Sequence, residues 1–565
     1  MLTEKRILLN MKRIEIKILV FACLIFWLFQ LFGEEHEKTF LIVLSAITVI
    51  AIIIADKCNK FLKTLIYSLP FQIFALFFMR LFSLARKTNL FEEDAIKDIL
   101  LELLLVFILF SVLIVFNRKF VKTVRKSKIN LVYIVMGVGF FIRELLCYVA
   151  GYMALQNDLM GFDAKSDGHL AYIYRIYKFT SLPSGSPENR YQFYQPPFHH
   201  IISGMWAKLN HFLGVEEGRL CEMLQVIALF YSVMIIILAY KIMKEITKNK
   251  RSILIGVVLV TFFPYLMEYS GSINNDPLCF VLSLAAVLFF IRWYKKSTYK
   301  NIILCAVCLG LAMMTKLSAF LLAPAMAILF LYKLVKEKTH VLNYIKQYLV
   351  FGVISIPLGI WFPLKNSILY GIPLNYVTVT PAAYHIDKSI STFTRLFGFS
   401  MDQFKATSFT LDLNAVGYIK NIGIAVTKYA VFGESDYFKT NAYSQTLEAW
   451  MYRMMLILAV SCVACLIYWF VKYKRDSKIK LYLAITILTI IVSYVVFQFQ
   501  YPAFPSMNVR YIIPALVLQL CIVGASTEFF TKKKEGNVLT NVIKVYLVAY
   551  ASINTLGVLS ILWKL

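Results

Sequence analysis

Apolar stretches of about 20 residues recur along this chain from Lys17 to its C-terminal end. A helix needs roughly 20 apolar residues to cross a hydrocarbon core about 30 Å thick. Backbone groups in lipid must find hydrogen-bond partners within the protein, so such segments must be helices. Only 16% of the residues are charged, against about 25% in an average soluble domain. The sequence therefore predicts an all-α polytopic membrane protein and excludes a soluble globular fold.

Charged breaks between the apolar runs predict about fifteen crossings. They lie at 17–33, 39–55, 61–83, 96–116, 129–150, 219–240, 252–268, 277–293, 301–314, 317–332, 347–363, 451–471, 479–497, 510–530 and 541–562. The first run follows a basic N-terminus and ends near Phe32 without a small-residue cleavage site, which predicts a retained helix and not a removable signal.

The basic residues predict the topology. A net charge of +27 would suggest nucleic acid in a soluble domain, but here lysine and arginine cluster in short runs between apolar segments. A cytoplasmic N-terminus places most of these runs in the cytoplasm, as the positive-inside rule requires. We therefore expect a multi-pass plasma-membrane protein with a cytoplasmic N-terminus and no nucleic-acid partner.

The stretch 301–332 has basic residues on both flanks, so an even number of crossings is expected there. Two short helices would then meet at Thr315-Lys316. This arrangement places Lys316 at the outer face and not in the bilayer centre, where a charge is costly. The alternative is a lysine that only extends its amine to the interface.

Two predicted outer segments are too long to be simple turns, and long loops in compact proteins are usually functional. They divide the chain into an N-terminal four-helix extension (1–128), a catalytic membrane core (129–363) containing the first outer loop (151–219), an extracytoplasmic loop (364–450) and C-terminal membrane helices (451–565). The functional site is expected at the outer surface of the membrane.

The first outer loop carries closely spaced acids. Asp163 and Asp167 are four residues apart, so on a helical turn both carboxylates would share a face, with His169 close behind. Such a pair can serve as a general base and its orienting partner, or can bind a divalent cation with help from histidine. The alternative is an aspartate that merely caps a solvated helix.

Pro196-Pro197 predicts the start of a second helix in this loop, since proline suits the first helical turn. Apolar residues then repeat at helical intervals, which predicts an amphipathic helix lying on the outer membrane surface. His199 and His200, near its N-terminus, can face an anionic group such as a phosphate. They can equally be interfacial residues without a chemical role.

Five segments occur in a fixed order on the predicted outer side. They are GHLAYIYRI after an acid, YQPP, SGSINNDPL, LGLAMMTKLSAFLLAP and NVRYIIPAL. This order resembles the polytopic glycosyltransferases of the C superfamily, and most closely the bacterial relatives of the protein O-mannosyltransferases and aminoarabinose transferases. The resemblance covers residues 129 to 530, and the four helices before it have no match.

The resemblance implies an inverting enzyme that moves a sugar from a polyprenyl-phosphate carrier to a glycan, lipid or protein acceptor on the outer face. It carries the catalytic aspartate onto Asp163 or Asp167, with Asp163 preferred, although the spacing between Asp163 and the Gly168-His169 pair departs from the family pattern. It implies no metal and no cofactor, whereas the cluster of acids and histidines leaves a divalent cation as an alternative. The lysine- and isoleucine-rich composition suggests a bacterial source and an undecaprenyl carrier.

A sugar phosphodiester has a good leaving group, so the enzyme needs a carboxylate for the acceptor hydroxyl and cations for the departing phosphate. Lys316, Arg190 and Arg510 are the candidates for the phosphate, with arginine offering a bidentate fit. The alternatives are a helix-end charge for Arg510 and a solvated loop charge for Arg190.

Two polar residues and an aromatic complete the candidate substrate-binding set. Asn275 and Asp276 stand in the family-like segment before a helix that Pro277 can begin, although Asp276 can instead act only as a favourable charge at that helix N-terminus. Tyr194 can stack on a sugar or a lipid chain, but aromatic residues are expected at any membrane interface.

Three other functions fit parts of the pattern. A ligase acting on a lipid-diphosphate oligosaccharide would share the architecture but not the donor. A transporter should show repeated halves with ionisable or broken sites near the midplane, and no internal repeat is visible. A non-enzymatic assembly subunit would be a relative that has lost its catalytic acid.

Overall fold

The computed structural model describes residues 131–153, 158–378, 385–386, 389–399, 421–433, 442–472, 477–531 and 538–560. They belong to one compact unit, Asn130–Leu565. Within these ranges the chain is helical and has no β-strand, only an isolated bridge between His385 and Ala503. The all-α prediction is confirmed for the described residues. The four helices predicted between 17 and 116 lie outside them.

The described ranges contain sixteen α-helices. They are α1 (Leu131–Ala150), α2 (Gly168–Phe179), α3 (Phe198–Phe212), α4 (Leu220–Ile246), α5 (Lys250–Thr261), α6 (Pro264–Glu268), α7 (Asp276–Lys295), α8 (Tyr299–Met313), α9 (Ala323–Lys336), α10 (Val341–Tyr370), α11 (Thr392–Phe397), α12 (Ile422–Phe432), α13 (Ala442–Lys472), α14 (Ser477–Gln500), α15 (Ile513–Thr531) and α16 (Val538–Leu559). Short 3₁₀ helices include Leu317–Leu322 and Val509–Ile512.

Eight of the described helical segments are long and apolar enough to cross a membrane, and a ninth counts if a bent pair forms one span. The protein is therefore a multi-pass membrane protein, as predicted, while the total of about fifteen crossings stays a prediction. The bent pair joins Lys250–Thr261 to Pro264–Gly271 at 64°. The sequence predicted one span at 252–268, and the break follows from Pro264, which lacks an N–H group and disrupts the preceding turn.

The predicted break near Thr315-Lys316 is confirmed. Helix α8 ends at Met313, and the 3₁₀ helix that leads into α9 begins at Leu317. Lys316 therefore lies in extended backbone between two helical segments. Helix α10 is longer than its predicted span of 347–363, because it continues through Pro357 and Pro363 to Tyr370.

Helix α7 is the most buried of the described apolar spans, with 78% of its most apolar window buried. At its C-terminal end Glu245 of α4 binds Arg292 at 2.8 Å and Lys295 at 3.0 Å. Asp276 lies at the other end of this 20-residue helix. The ion pairs and the buried helix surface fix the position of Asp276 relative to the rest of the fold.

Several of the described helix pairs approach at glycines, as two examples show. A Cβ on Gly524 of α15 would lie 2.7 Å from the backbone of Gly256 in α5. A Cβ on Gly204 of α3 would lie 2.7 Å from Ile176 of α2. Because real side chains do not approach this closely, these contacts require glycine and hold the helix pairs at short range.

The helix predicted to start at Pro196-Pro197 is confirmed as α3, Phe198–Phe212. Its apolar face points away from the protein, with Met205 50% exposed and Leu209 47% exposed. The opposite face is buried and carries His199 and His200. An apolar outer face is the arrangement expected of a helix lying on a membrane surface.

Candidate functional site

Four charged side chains from separate segments meet at the N-terminal end of α7. Asp158 follows α1, Asp276 begins α7, Lys316 stands between α8 and its following 3₁₀ helix, and Arg510 belongs to the 3₁₀ helix before α15. All four side chains are largely shielded from solvent, between 3% and 17% exposed. Charges so well shielded from water must be neutralised by oppositely charged side chains nearby.

Asp276 is paired with both cations. One carboxylate oxygen accepts a hydrogen bond from the Lys316 amine. The other accepts from the Tyr269 hydroxyl at 3.3 Å and lies 3.9 Å from Nε of Arg510. The predicted neighbourhood of Asp276, Lys316 and Arg510 is thus present as a contiguous ion-pair network.

Asp158 is the second acid of this network and was not singled out from the sequence. It accepts hydrogen bonds from Arg510 Nη1 at 3.0 Å and from the Tyr191 hydroxyl at 2.8 Å. Burial alone would raise its pKa, but Arg510, His169 and Tyr191 outweigh burial and hold the pKa below its ordinary value. Its only sequence signal is an acid in the same outer loop, closer to the preceding helix than Asp163.

The backbone around Asp158 explains why it can occupy this position. The amides of His169 and Leu170 donate to the carbonyls of Asp158 and Leu159, both at 3.2 Å. Gly168 has a φ of +81°, and a Cβ there would lie 2.6 Å from the Leu159 carbonyl oxygen. Only glycine fits this turn without strain, so the Gly168-His169 pair anchors the loop that presents Asp158.

A cleft of about 420 Å³ opens beside the network. Its polar end is formed by Asp276, Lys316 and Arg510, and Lys316 lies 5.0 Å from the centre of the Tyr511 ring. The remaining walls are mostly apolar and include Phe280, Leu321, Leu322, Ile490 and Pro514. The cleft can therefore hold a molecule that is anionic at one end and apolar along its length.

The expectation that Asp163 and Asp167 share a helical face is wrong. Helix α2 begins only at Gly168, and Asp163 lies in the bend before it. The Asp163 carboxylate accepts from the amides of Lys165 and Ser166, both at 2.7 Å, and these local bonds compete with helix formation. The Ser166 hydroxyl also donates to this carboxylate, at 2.7 Å. Together these hydrogen bonds lower the pKa of Asp163, and the bond from the Ser166 hydroxyl contributes most.

Asp167 and Arg190 form an ion pair of their own. Nε of Arg190 lies 2.7 Å from the Asp167 carboxylate, and the guanidinium stands 4.2 Å from the centre of the Phe193 ring. Arg190 lines a second cavity of about 300 Å³, not the cleft at Asp276. Asp167 precedes α2 but makes no side-chain cap to it.

The predicted histidines are buried in a stack of aromatic rings. His169 bonds His200 through Nδ1 and Nε2 at 3.0 Å, and the two rings lie nearly parallel. His200 stacks on Tyr172 at 4.0 Å, and Tyr172 stacks on Phe193 at 5.0 Å. Burial lowers the pKa of His169 to about 4 and that of His199 to about 3, so both are neutral at pH 7.

Neutral, stacked histidines are poor partners for an anion. Within the described ranges, no group of three or more histidine, cysteine, aspartate or glutamate side chains has a metal-binding arrangement. The rings of His169, His200, Tyr172 and Phe193 instead stack one on the next, and the Arg190 guanidinium lies over the last of them.

Asn275 connects three of the predicted motifs through hydrogen bonds. Its amide donates to Gln195 at 3.1 Å and to the Thr315 carbonyl at 2.9 Å. It thereby joins the start of α7 to the YQPP segment and to the end of α8. Tyr194 makes an edge contact with Tyr376, with ring centres 5.7 Å apart.

Residues 195–361 match the family model described as dolichyl-phosphate-mannose-protein mannosyltransferase. The predicted resemblance to the protein mannosyltransferases is confirmed over these residues. The segment that resembles these mannosyltransferases contains Asn275, Asp276 and Lys316, whereas Asp158 and Arg510 lie outside it. No curated protein matches the chain by sequence.

Solved structures of two proteins are similar to this chain at low identity. The oligosaccharyltransferase of Archaeoglobus fulgidus, tethered to an acceptor peptide, is 13% identical with a TM-score of 0.45, covering 77% of this chain and 55% of that one. ArnT from Cupriavidus metallidurans, bound to undecaprenyl phosphate, is 12% identical with a TM-score of 0.34, covering 71% and 78%. The chain spans about half the length of the archaeal enzyme.

Proposed function

We propose that this protein is a glycosyltransferase that moves a monosaccharide from a polyprenyl-phosphate carrier to an acceptor at the extracytoplasmic face. The observation that carries the proposal is the cleft at Asp276. Its two cations suit a phosphate, and its apolar walls suit an isoprenoid chain. The family match across residues 195–361, described for a dolichyl-phosphate-mannose enzyme, supports the same donor class.

The orientation follows from the charges at the two ends of α7. Arg292 and Lys295 stand at its C-terminal end, followed closely by Lys296 and Lys300. The helix is about 30 Å long, so its Asp276 end lies at the opposite membrane face. The positive-inside rule assigns the basic end to the cytoplasm and the cleft to the outside.

Lys316 and Arg510 would hold the phosphate of the donor. Positive charge placed where the leaving phosphate gains negative charge stabilises the transition state. Both cations are paired with carboxylates in the free protein, so a bound phosphate would share them with Asp158 and Asp276. Sharing the cations raises the basicity of the carboxylates as the donor binds.

Asp158 is the acid that the geometry favours as the general base. It lies on the charged network through Arg510, whereas Asp163 is bound by its own turn and Asp167 is paired with Arg190 beside the second cavity. In this scheme Asp158 takes the proton of the acceptor hydroxyl, the hydroxyl oxygen attacks the anomeric carbon, and polyprenyl phosphate leaves with the bonding electrons. The sequence-based assignment to Asp163 or Asp167 stays a competing prediction.

The test is sugar transfer from a panel of undecaprenyl-phosphate monosaccharides by the purified full-length chain in liposomes. Asp158→Asn should lower kcat by about 10²–10⁴ and should also lower the thermal unfolding midpoint, because Arg510 loses its closest carboxylate partner. Asp163→Asn and Asp167→Asn are the matched controls, because each removes one carboxylate from the same loop. Full turnover by Asp158→Asn together with loss in Asp163→Asn would reject our choice of base, and no turnover of any monosaccharide donor would reject the function.

A further inference from the structure

The second cavity has no part in the proposed transfer and has the composition of a separate binding site. It occupies about 300 Å³ between the first outer loop and the C-terminal half of α10. Its polar lining residues are Tyr172, Ser184, Ser186, Arg190, Lys365 and Asn366. No carboxylate is among the lining residues, and Arg190 and Lys365 are the two cations of the lining.

Lys365 is the cation most available to a ligand. Among the described residues no carboxylate pairs with it, and its amine lies 5.5 Å from the centre of the Phe362 ring. Arg190 uses Nε for Asp167 and Nη2 for the Ser166 carbonyl, which holds its guanidinium in place over Phe193. A fixed guanidinium and an unpaired ammonium facing one small cavity suit a phosphate group.

Tyr172 adds a polar group that lacks a partner. The residue is completely buried, and its hydroxyl makes no hydrogen bond within the described part of the chain. Buried hydroxyl groups in folded proteins nearly always have a partner. A ligand oxygen would supply one, and the hydroxyls of Ser184 and Ser186 lie on the same lining.

We propose that this second cavity binds a phosphate-bearing polyol. The phosphate lies between Lys365 and Arg190, and the polyol hydroxyls reach Tyr172 and the two serines. Phe362, also on the lining, supplies an apolar wall for the carbon skeleton. A single phosphate with a short polyol, as in a sugar phosphate or a phospholipid headgroup, matches this set of cations and hydroxyls.

The second cavity is separate from the cleft at Asp276. The parallel rings of His169, His200, Tyr172 and Phe193 stand between the charged network and Arg190. No residue lines both the cleft and the second cavity. Binding at the second cavity can therefore be measured whether or not the protein transfers sugar.

The test uses glycerophosphoglycerol, a soluble phosphodiester with hydroxyls on both sides, titrated calorimetrically into the full chain in phosphatidylcholine nanodiscs. Diglycerol is the uncharged comparison and should not bind. Lys365→Gln should raise Kd at least about tenfold, and Lys365→Arg should restore binding. Lys346→Gln is the matched control, because Lys346 is an exposed lysine on the same helix.

Two further variants locate the bound probe. Tyr172→Phe keeps the stacked ring and removes only the hydroxyl, so Kd should rise about fivefold. Lys316→Met changes only the first cleft and should leave Kd unchanged. Loss of binding in Lys316→Met, equal binding of diglycerol, or no binding by the wild-type chain at millimolar probe would each overturn the proposal.

Nanodiscs containing phosphatidylglycerol distinguish the source of the ligand. Competition by this lipid against the soluble probe, abolished by Lys365→Gln, would identify a membrane headgroup as the occupant. Undiminished probe binding in these nanodiscs would identify a soluble or glycan-linked phosphate. Both results support the cavity as a phosphate-polyol site.

Discussion

The Lys316–Asp276 pair allows the role of a phosphate-binding cation to be separated from its role in stability. Lys316→Met removes the amine and leaves a carboxylate that is 2% exposed. Breaking a buried ion pair costs about 3–5 kcal/mol when the remaining charge has no other partner. Here Arg510 stays 3.9 Å away and the Tyr269 hydroxyl 3.3 Å away, so we expect a loss of about 2–3 kcal/mol in unfolding free energy.

The second variant, Lys316→Met with Asp276→Asn, removes the isolated charge. The amide of asparagine can still bond to Tyr269, so most of the lost stability should return, to within about 1 kcal/mol of the wild-type protein. Turnover should not return, because the phosphate still lacks one of its two cations. Loss of one such charge contact lowers kcat by about 10²–10³.

Two measurements on the same detergent-purified samples separate the effect of Lys316 on turnover from its effect on stability. Thermal unfolding followed by intrinsic fluorescence reports stability, and sugar transfer in liposomes reports turnover. Asp276→Asn alone completes the double-mutant cycle and gives the coupling energy of the pair. Recovery of full turnover together with stability in the double variant would refute the reasoning, because Lys316 would then act only by neutralising Asp276.

Two further predictions concern packing and pH. Gly524→Ala places a methyl group against the backbone of Gly256 and should lower the unfolding free energy by about 1–3 kcal/mol. Thermal unfolding measures this loss. The control is Gly137→Ala, which should be neutral or slightly stabilising, because no atom lies within 4 Å of the new Cβ. Burial lowers the pKa values of His169 and His199 to about 4 and about 3. Below pH 6.5 these histidines gain a proton in the unfolded chain but stay neutral in the folded protein. The free energy of unfolding should therefore be highest above pH 6.5 and fall below it by about 1.4 kcal/mol per histidine and pH unit. A melting temperature that is flat from pH 7 to pH 5, or an acid loss that His199→Gln does not reduce, would contradict this account.

The positions of the described spans followed closely from the sequence, because hydrophobicity along the chain is a local property. The apolar run at 277–293 became α7, and the break at Lys316 was predicted from charges on both flanks. The sharp bend at Pro264 was missed, since a continuous apolar run does not show where a helix changes direction.

The site was predicted only in part. The grouping of Asp276, Lys316 and Arg510 followed from the predicted outer face and the resemblance. The relation of Asp163 to Asp167 was wrong, because hydrogen bonds from Lys165 and Ser166 hold Asp163 in a turn outside α2. Helical spacing cannot reveal such competition between a side chain and the backbone.

The amino-acid sequence by itself determined the membrane environment and the helical class, because both depend on local hydrophobicity. It also predicted, from the distribution of charge, the outer face as the place where polar residues gather. Only the tertiary structure decided which charges are partners. Arg510 meets Asp158 across 352 positions of sequence, and Arg190 belongs to a second cavity and not to the cleft at Asp276. Ion pairs between distant segments depend on how the helices pack, and that information is spread over the whole core.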